Sequence, residues 1–274
     1  MGDAVSDQWG TGDVLGRVLE AMRASGLPTD STTVEALVPV DHFHARGFKS
    51  TQELADNLPV KPGDRLVDIG CGIGGPARYL AQRFDCRVEG IDITPPFVTA
   101  GNHLSALTGM QDRVKIVLGD GQHLPYPDQS FDGGYSQHVT MNIADRDRFF
   151  AEAFRVLRPG AFFALTEHGL GQGGPVHHPV PWSDDGSHEH LMTPEDTVTR
   201  LKAAGFERIR LSETGPKYLE GYRRMMELAA KGDLPRLGVH ILLGPDAPAK
   251  TRNAAWNIEE GRTRPIEILC FRPV

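Results

Sequence analysis

Cysteines, long apolar runs and clusters of basic residues are scarce in this sequence, and each absence excludes a class of protein. Three cysteines in 274 residues are too few, and odd in number, for a disulfide framework, which indicates a reducing compartment. No segment approaches the roughly 18 consecutive apolar residues of a membrane helix. The first residues are polar and acidic and do not resemble a signal peptide, so we expect a cytoplasmic protein with no membrane partner.

Basic residues are also outnumbered by acidic ones. Lysine and arginine contribute 29 residues, and aspartate and glutamate contribute 36, which gives a formal net charge of −7. Binding to nucleic acid phosphates needs clustered Lys and Arg, and the chain has no long run of them. We therefore expect a small-molecule partner and no nucleic acid, while a homodimer stays compatible with the sequence.

Strand and helix patterns alternate after Asp64, which is typical of an α/β protein with a parallel, doubly wound sheet. The predicted strands cover residues 65–69, 87–92, 114–118, 131–136 and 161–167, with helices at 76–84, 95–107 and 145–157. In such folds the crossovers are right-handed, so the carboxyl ends of the strands meet at one edge of the sheet. That edge is where doubly wound folds bind their ligands.

A glycine-rich segment follows the first predicted strand. It reads VDIGCGIGG, and Gly70, Gly72 and Gly75 satisfy the pattern G-x-G-x-x-G between a strand and a helix. Residues without side chains permit a tight turn and the close approach of a ligand to the backbone. The next helix offers free N–H groups to an anionic group. The pattern alone is shared by dinucleotide-binding oxidoreductases.

Acidic side chains stand at the ends of the first three predicted strands. Asp68 precedes the first glycine, and a carboxylate there suits a cationic amino group better than a pyrophosphate, because like charges repel. Asp92 ends the second strand and can accept hydrogen bonds from both hydroxyls of a ribose. After the third strand, Asp120, Gly121 and Gln122 are placed to meet an adenine. An amino acid, a ribose and an adenine would thus follow one sheet edge.

These motifs resemble those of the class I S-adenosylmethionine-dependent methyltransferases. VDIGCGIGG is similar to their first motif, EGIDIT to the acidic second motif, and GDGQHLPYPDQSFDGGYS to the third-strand loop and fourth strand. FFAEAFRVLRPGAFFAL is similar to the helix and fifth strand that follow, so the similarity covers residues 45–170. GCGIGGPARYLA and YSQHVTMNI resemble the small-molecule branch, which includes sarcosine/dimethylglycine N-methyltransferases and sterol- and tocopherol-type C-methyltransferases.

The resemblance implies a Rossmann-like, seven-stranded sheet that is parallel except for one reversed terminal strand, for which residues 265–271 are the candidate. It also implies S-adenosylmethionine as the cofactor and S-adenosylhomocysteine as the product. Within the core, the residues expected to bind the cofactor are Asp68, Gly70, Gly72, Gly75, Asp92, Ile93, Asp120, Gly121, Gln122 and Gln137.

Helical spacing of apolar residues predicts further helices on both sides of this core. The N-terminal segment with His42, Phe43, His44 and Arg46 resembles the lid that these enzymes fold over the cofactor, and the helix at 218–230 is the candidate for a cap. We expect a single methyltransferase domain over residues 1–274. Its parts are a helical lid at 1–60, a cofactor-binding core at 61–168, an acceptor loop with a helical cap at 169–260, and a terminal strand at 261–274. In the lid, Phe43 is expected to cover the sulfonium with its ring, and Arg46 to pair with the methionine carboxylate.

Histidines near strand ends are the candidates for acid–base chemistry. His138 follows the fourth strand and His168 the fifth, and either could act as a base near neutral pH, or be purely structural. The loop at 169–190 is rich in Gly, Pro and His, but its spacing fits no zinc pattern, so we expect no metal. It is expected to close over the acceptor pocket.

The function expected is methyl transfer from S-adenosylmethionine to a small molecule. An amine nitrogen is favoured, because the acidic residues of the long loop would tolerate a cationic acceptor. The alternative is C-methylation of a prenyl, sterol-like or phenolic acceptor, which Phe43 and Trp182 would suit. Two further alternatives are a nicotinamide-dependent oxidoreductase, which Asp68 disfavours, and a non-catalytic protein that binds the cofactor.

Overall fold

One seven-stranded sheet organises the structure, a computed structural model that describes residues 12–44 and 46–274. The strand order is β3-β2-β1-β4-β5-β7-β6. All strands run parallel except β7, which is antiparallel to both neighbours. This confirms the predicted fold class, including the reversed terminal strand. The strands are β1 Arg65–Ile69, β2 Arg87–Asp92, β3 Val114–Leu118, β4 Phe131–Gln137, β5 Leu157–Leu170, β6 Glu207–Glu213 and β7 Thr263–Phe271.

Helices cover the sheet and extend beyond its carboxyl edge. Those in the described residues are α1 Val14–Ala24, α2 Val34–Asp41, α3 Phe48–Asn57, α4 Gly75–Phe84, α5 Pro95–Leu107, α6 Arg146–Val156, α7 Pro194–Ala203, α8 Gly215–Lys231, α9 His240–Leu243 and α10 Ala247–Glu259. Side chains cap several of them: Asp13 accepts from the Gly16 N–H, Asp145 from Arg148 and Thr193 from Asp196.

Both faces of the sheet are buried, which is why its central strands read as apolar runs. On one face Val67 and Ile69 of β1 pack in a cluster with Phe149 of α6. On the other face Leu66 packs in a cluster with Leu80 of α4. The alternation of side chains along a strand therefore fixes which residues of β1 face each layer of helices.

Strand β5 is longer than the sequence predicted. It continues past residue 167 because its pairing with β7 continues, with Gly169 opposite Arg264 and Leu170 opposite Thr263. His168 consequently sits inside a strand, opposite Pro265. The Gly-rich composition after this point indicated a loop, but pairing with the terminal strand overrides that local preference.

A buried ion pair fastens the lid to the helix after the glycine segment. Arg78 on α4 donates from Nη2 to Oδ1 of Asp41, at the end of α2, over 2.7 Å, and both side chains are almost fully buried. A side chain at Gly75 would collide with the Asp41 backbone, so the glycine permits the close contact between α2 and α4. The lid is thus held directly above the carboxyl edge of the sheet.

The segment between β5 and α7 is fixed against helix α10. Asn257 donates from Nδ2 to the His177 carbonyl over 3.0 Å and accepts from the His177 N–H over 2.8 Å. Asn253 donates to the Pro179 carbonyl over 3.0 Å. This bracing contrasts with the mobility that glycines and prolines suggest. In the described part of the chain, no helix has the length and apolar character to cross a membrane.

Candidate active site

A cavity of about 990 Å³ lies at the carboxyl edge of the sheet, between the strand ends, the lid and helix α8. Thirteen of the fourteen residues that sequence reasoning assigned to the site line it. They are Phe43, Arg46, Asp68, Gly70, Gly72, Asp92, Ile93, Asp120, Gly121, Gln122, Gln137, His138 and His168. The exception is Gly75, whose place in the motif serves the packing of the lid.

We call the part of the cavity at the ends of β1, β2, β3 and β4, up to Gln137, its first half; the part around His138 and His168 is the second half. Asp92 accepts hydrogen bonds from the Gly72 N–H over 2.8 Å and from the Thr94 N–H over 2.9 Å. Each carboxylate oxygen can accept a further bond, as a ribose would require. Gly72 adopts a φ of +55°, and its absent side chain leaves open space within the cavity. The backbone is thereby accessible to a ligand, as predicted.

Asp68 carries a buried oxygen, Oδ2, that makes no hydrogen bond of ordinary geometry within the described residues. Its carboxyl group lies near the Tyr135 hydroxyl, which is also buried and without such a bond, and Asp68 is only 2% exposed. Burial raises the pKa of Asp68 to about 8 against the lowering effect of the Tyr135 hydroxyl, and the nearby Asp92 carboxylate adds to the rise. A cationic ammonium group would pair with this carboxylate and favour its charged form. The site therefore fits the amino-acid end of S-adenosylmethionine.

Gln137 is the second unsatisfied group in this half. Neither its Oε1 nor its Nε2 atom finds a partner within the described residues, although both atoms are buried. Buried amides are normally hydrogen-bonded, so these atoms point to a ligand with both donor and acceptor groups.

The turn after β3 is braced by its own side chains. Asp120 accepts from the Gln122 N–H over 2.8 Å and lies 3.1 Å from the Gln122 amide nitrogen. Gln122 in turn accepts from the Asp145 N–H over 3.3 Å. Asp120 thus shapes the turn, and it also lines the cavity, where its contact with an adenine stays a prediction.

Arg46 has a different partner from the one predicted. It donates from Nη1 to Oε2 of Glu53 over 2.9 Å, and a second bond joins the same two side chains. Lys217 also donates to Glu53 over 2.9 Å. Both terminal nitrogens of the Arg46 guanidinium donate to Glu53, which would compete with a methionine carboxylate. The pairing of Arg46 with that carboxylate stays a prediction. Phe43 is half-buried and lines the cavity, where its contact with a sulfonium also stays a prediction.

The second half of the cavity contains both predicted catalytic histidines. His138 has a φ of +58°, a strained conformation for a residue with a side chain, which is typical of functional sites. Its Nε2 atom lies 2.7 Å from the Tyr218 hydroxyl. His168 lies 5.6 Å away between ring centres, and its Nε2 atom is 3.3 Å from the Tyr222 hydroxyl.

These histidines are uncharged at neutral pH. Burial lowers the pKa of His138 to about 4 and that of His168 well below its usual range. A neutral imidazole always offers one nitrogen lone pair, so each ring can accept a proton or a hydrogen bond. The two rings therefore add no charge to the second half of the cavity, and each can accept one hydrogen bond from an acceptor.

Aromatic side chains surround the two histidines: Trp182 and Tyr222 line the cavity, and Tyr218 contacts His138. Trp182 stacks on His168 with ring centres 4.4 Å apart, while Tyr218 and Tyr222 come from α8. The two tyrosines are one helical turn apart, which indicates a shared face. Their meeting with His138 depends on how the cap folds back across the sheet, which no local pattern reveals.

The acidic residues of the long loop do not face the cavity. Asp184 pairs with Lys250 over 2.7 Å, and Glu189 accepts from the Trp182 indole N–H over 2.6 Å. Neither these two nor Asp185 line the cavity. The prediction that these acidic side chains would accommodate a cationic acceptor is therefore wrong. Within residues 12–44 and 46–274, no three His, Cys, Asp or Glu side chains are grouped so that they could hold a metal ion.

Comparison with known proteins agrees with this geometry. Residues 67–165 match the family model described as a methyltransferase domain. The chain is similar to methyltransferase GfsG of Streptomyces halstedii, at 34% identity over 128 residues, which cover 47% of this chain and 46% of that protein. The chain thus spans less than half the length of this curated relative.

Two solved structures are similar over nearly the whole chain. A phosphoethanolamine N-methyltransferase 2 from Haemonchus contortus, with phosphomonomethylethanolamine and S-adenosylhomocysteine, has a TM-score of 0.78 at 20% identity and covers 98% of this chain and 60% of its own. The geranyl diphosphate C-methyltransferase of Streptomyces coelicolor A3(2), with Mg²⁺, geranyl-S-thiolodiphosphate and S-adenosylhomocysteine, has a TM-score of 0.73 at 17% identity and covers 99% and 97%.

The family match and the fold agree with each other. Residues 67–165 match the model of a methyltransferase domain, and the whole chain has the fold of the two solved methyltransferases. The resemblance that the sequence motifs carry, to S-adenosylmethionine-dependent methyltransferases that act on small molecules, is thereby confirmed.

Proposed function

We propose that this chain transfers a methyl group from S-adenosylmethionine to a neutral small-molecule acceptor. One observation carries the proposal. A single cavity joins the unsatisfied carboxylate of Asp68 and the ribose-type carboxylate of Asp92 to the uncharged pair His138 and His168. A methyl donor in the first half would present its reactive group to an acceptor in the second.

The residues of the first half hold and orient the donor. When bound, S-adenosylmethionine supplies an electrophilic methyl group on a sulfonium with a good leaving group. Asp68 would bind its ammonium, Asp92 its ribose hydroxyls and the turn at Asp120 its adenine. Alignment and exclusion of water then provide most of the rate enhancement.

His138 would take up a proton that the acceptor loses. In the tautomer whose Nε2–H donates to the Tyr218 hydroxyl, the lone pair on Nδ1 is free to accept this proton. Tyr218 can then donate to Ser50, whose hydroxyl oxygen lies 3.4 Å away. Tyr218 would thus orient the base. Because the pKa of His138 is lowered to about 4, the ring is a weak base and would take the proton as the new bond to the methyl group forms, when the acceptor proton is most acidic. A phenolic or otherwise weakly acidic acceptor fits this pair, as does a prenyl or sterol-like one in the aromatic surroundings.

An amine acceptor is the second candidate. The rings of Trp182 and Tyr222 line the cavity and could hold a cationic amine through cation–π contacts until its proton is lost. The Haemonchus contortus neighbour is named as an N-methyltransferase and the Streptomyces coelicolor neighbour as a C-methyltransferase. The likeness in fold favours neither acceptor.

A radiolabelled methyl assay tests the proposal. Purified protein is incubated with S-[methyl-³H]adenosylmethionine and phenol, catechol, geraniol, ethanolamine or sarcosine in parallel. Label is expected in a neutral acceptor, with catechol or phenol above the amines. Faster labelling of ethanolamine or sarcosine would favour the second candidate. Transfer to no acceptor of the panel, by protein shown to bind S-adenosylhomocysteine, would instead favour the non-catalytic alternative.

A further inference from the structure

His44 brings a third imidazole to the second half of the cavity. It belongs to the lid, between α2 and α3, yet its ring centre lies 5.7 Å from that of His138. With His138 and His168 it forms a row of three rings across the cavity. The methyltransferase resemblance does not assign it a role, and it is the only member of this row that the lid contributes.

Thr51 holds the His44 ring in place. The Thr51 hydroxyl lies 3.1 Å from Nε2 of His44 and 2.9 Å from Nδ1 of His42. A hydroxyl carries a single proton, so Thr51 donates to at most one of these rings, and at least one ring donates to it. The backbone fixes the residue as well, because the Gly47 N–H donates to the His44 carbonyl over 2.8 Å. The ring is therefore oriented before any ligand binds.

The opposite nitrogen of His44 has no partner among the described residues. Its Nδ1 atom is buried and makes no hydrogen bond with any described residue. Burial and the nearby His138 lower the pKa of His44 well below its usual range, so the ring is neutral. A buried polar atom without a partner costs free energy unless a ligand or water satisfies it. Because one ring nitrogen is bound to Thr51, only Nδ1 is left for that contact.

We propose that His44 is an acceptor-binding residue, whose Nδ1 atom hydrogen-bonds a neutral polar group, such as a hydroxyl, on the molecule to be methylated. The inference rests on the proposed methyl transfer. It makes the acceptor site complete only with the lid in place, since the lid supplies one of its three imidazoles. It also predicts an acceptor with a second polar group beside the one that His138 serves, for which catechol is the simplest probe.

Two substitutions of His44 distinguish the contact made by Nδ1 from the contact made by Nε2. The side-chain amide of Asn lies as far from Cβ as Nδ1 does, and that of Gln as far as Nε2 does. His44→Asn therefore keeps a polar atom for the acceptor, whereas His44→Gln keeps the contact with Thr51 and loses the one with the acceptor. His103→Gln, on the exposed side of α5, is the matched control.

The test measures kcat/KM for catechol, KM for S-adenosylmethionine and Kd for S-adenosylhomocysteine in each variant. For His44→Gln we expect a loss of about tenfold or more in kcat/KM for catechol, as for one lost hydrogen bond to a buried group, with the two cofactor constants within about twofold of wild type. His44→Asn should recover most of the activity, and His103→Gln should match wild type.

Other outcomes overturn the inference in distinguishable ways. Equal activity of His44→Gln and wild type would show that Nδ1 does not contact the acceptor. Weaker binding of S-adenosylhomocysteine in step with the lost activity would place His44 on the cofactor side. If the wild type binds S-adenosylhomocysteine but methylates neither catechol nor another compound of the panel, the proposed function fails first and the inference falls with it. If another acceptor of the panel is labelled and catechol is not, the predicted second polar group is wrong.

Discussion

The Nε2 atom of His138 lies 2.7 Å from the hydroxyl oxygen of Tyr218, although 80 residues separate them in the sequence. This contact joins the turn after β4 to the cap helix α8, so the cap takes part in the second half of the cavity. Replacing Tyr218 with Phe removes the hydroxyl and leaves the ring. We expect kcat to fall about tenfold because the tautomer of His138 is no longer fixed, with unchanged binding of S-adenosylhomocysteine.

Tyr126→Phe serves as the control for that variant. The Tyr126 hydroxyl is also buried, but the ring packs against Phe131 in the core and does not line the cavity. Steady-state kinetics with the best acceptor of the panel should show wild-type activity in this variant. Equal activity of Tyr218→Phe and wild type would mean that the contact with His138 is structural only.

The low pKa of His138 predicts the pH dependence of methyl transfer. Because its pKa is lowered to about 4, the ring is already in its proton-accepting form at neutral pH. kcat/KM for the acceptor, measured at saturating S-adenosylmethionine so that Asp68 is already ionised, should therefore stay constant between about pH 6 and 8 and fall only as the pH approaches 4. An inflection close to the ordinary histidine value of 6.5 would contradict this account.

Acid stability supplies an independent readout of the same residue. The unfolded chain binds a proton at His138 below its ordinary pKa of 6.5, whereas the folded chain does so only near 4. The free energy of unfolding of wild type, compared with that of a His138→Gln variant, should thus decrease as the pH falls from about 6.5 to about 4. The comparison isolates His138, because Asp68, whose folded pKa is raised, contributes with the opposite sign in both proteins. Circular dichroism at each pH separates loss of fold from loss of catalysis.

Cofactor binding should release a proton from Asp68. At pH 7 a carboxyl with a pKa of about 8 is mostly protonated, and an ammonium beside it favours the ionised form. Titration calorimetry with S-adenosylhomocysteine in buffers of different ionisation enthalpy should report release approaching one proton per ligand. Asp68→Asn should abolish the dependence on buffer. A wild-type binding enthalpy that is the same in every buffer would disprove this assignment.

The buried ion pair between Arg78 and Asp41, which joins the lid to α4, should contribute strongly to the free energy of unfolding. Both side chains are almost fully buried, so Asp41→Asn leaves an uncompensated guanidinium and should lower the free energy of unfolding by about 3–5 kcal/mol. Urea denaturation measures the loss. Asp56→Asn breaks the exposed pair with Arg83 and should cost no more than about 1 kcal/mol. Similar losses in the two variants would contradict the role of burial.

The sequence predicted the sheet and the first half of the cavity well, for a physical reason. In a parallel sheet the carboxyl ends of β1 and β2 must lie side by side, so Asp68 and Asp92 could be placed together from strand boundaries alone. The strands at 65–69, 87–92 and 114–118 have the predicted bounds. Gly75 was predicted in the loop before the helix, whereas it is the first residue of α4, and its contact with Asp41 depends on where the lid packs.

The second half of the cavity could not be predicted in the same way. Arg46 is hydrogen-bonded to Glu53, and His138 to Tyr218. The periodicity of helices and strands does not predict either contact. Likewise, the short helix α9 carries too few residues for a periodic signal. The acidic residues of the long loop indicated a charged pocket because composition cannot tell which side chains face inward.

The affinity of the Asp92→Ala variant for S-adenosylhomocysteine tests whether the cofactor binds at the ends of β1 and β2. We expect wild type to bind S-adenosylhomocysteine and not NADH, and Asp92→Ala to bind it more weakly by about 1–3 kcal/mol, or roughly ten- to a hundredfold. The exposed Asp112→Ala variant should bind as wild type does. Unchanged affinity in Asp92→Ala, or tight binding of NADH without binding of S-adenosylhomocysteine, would contradict the account.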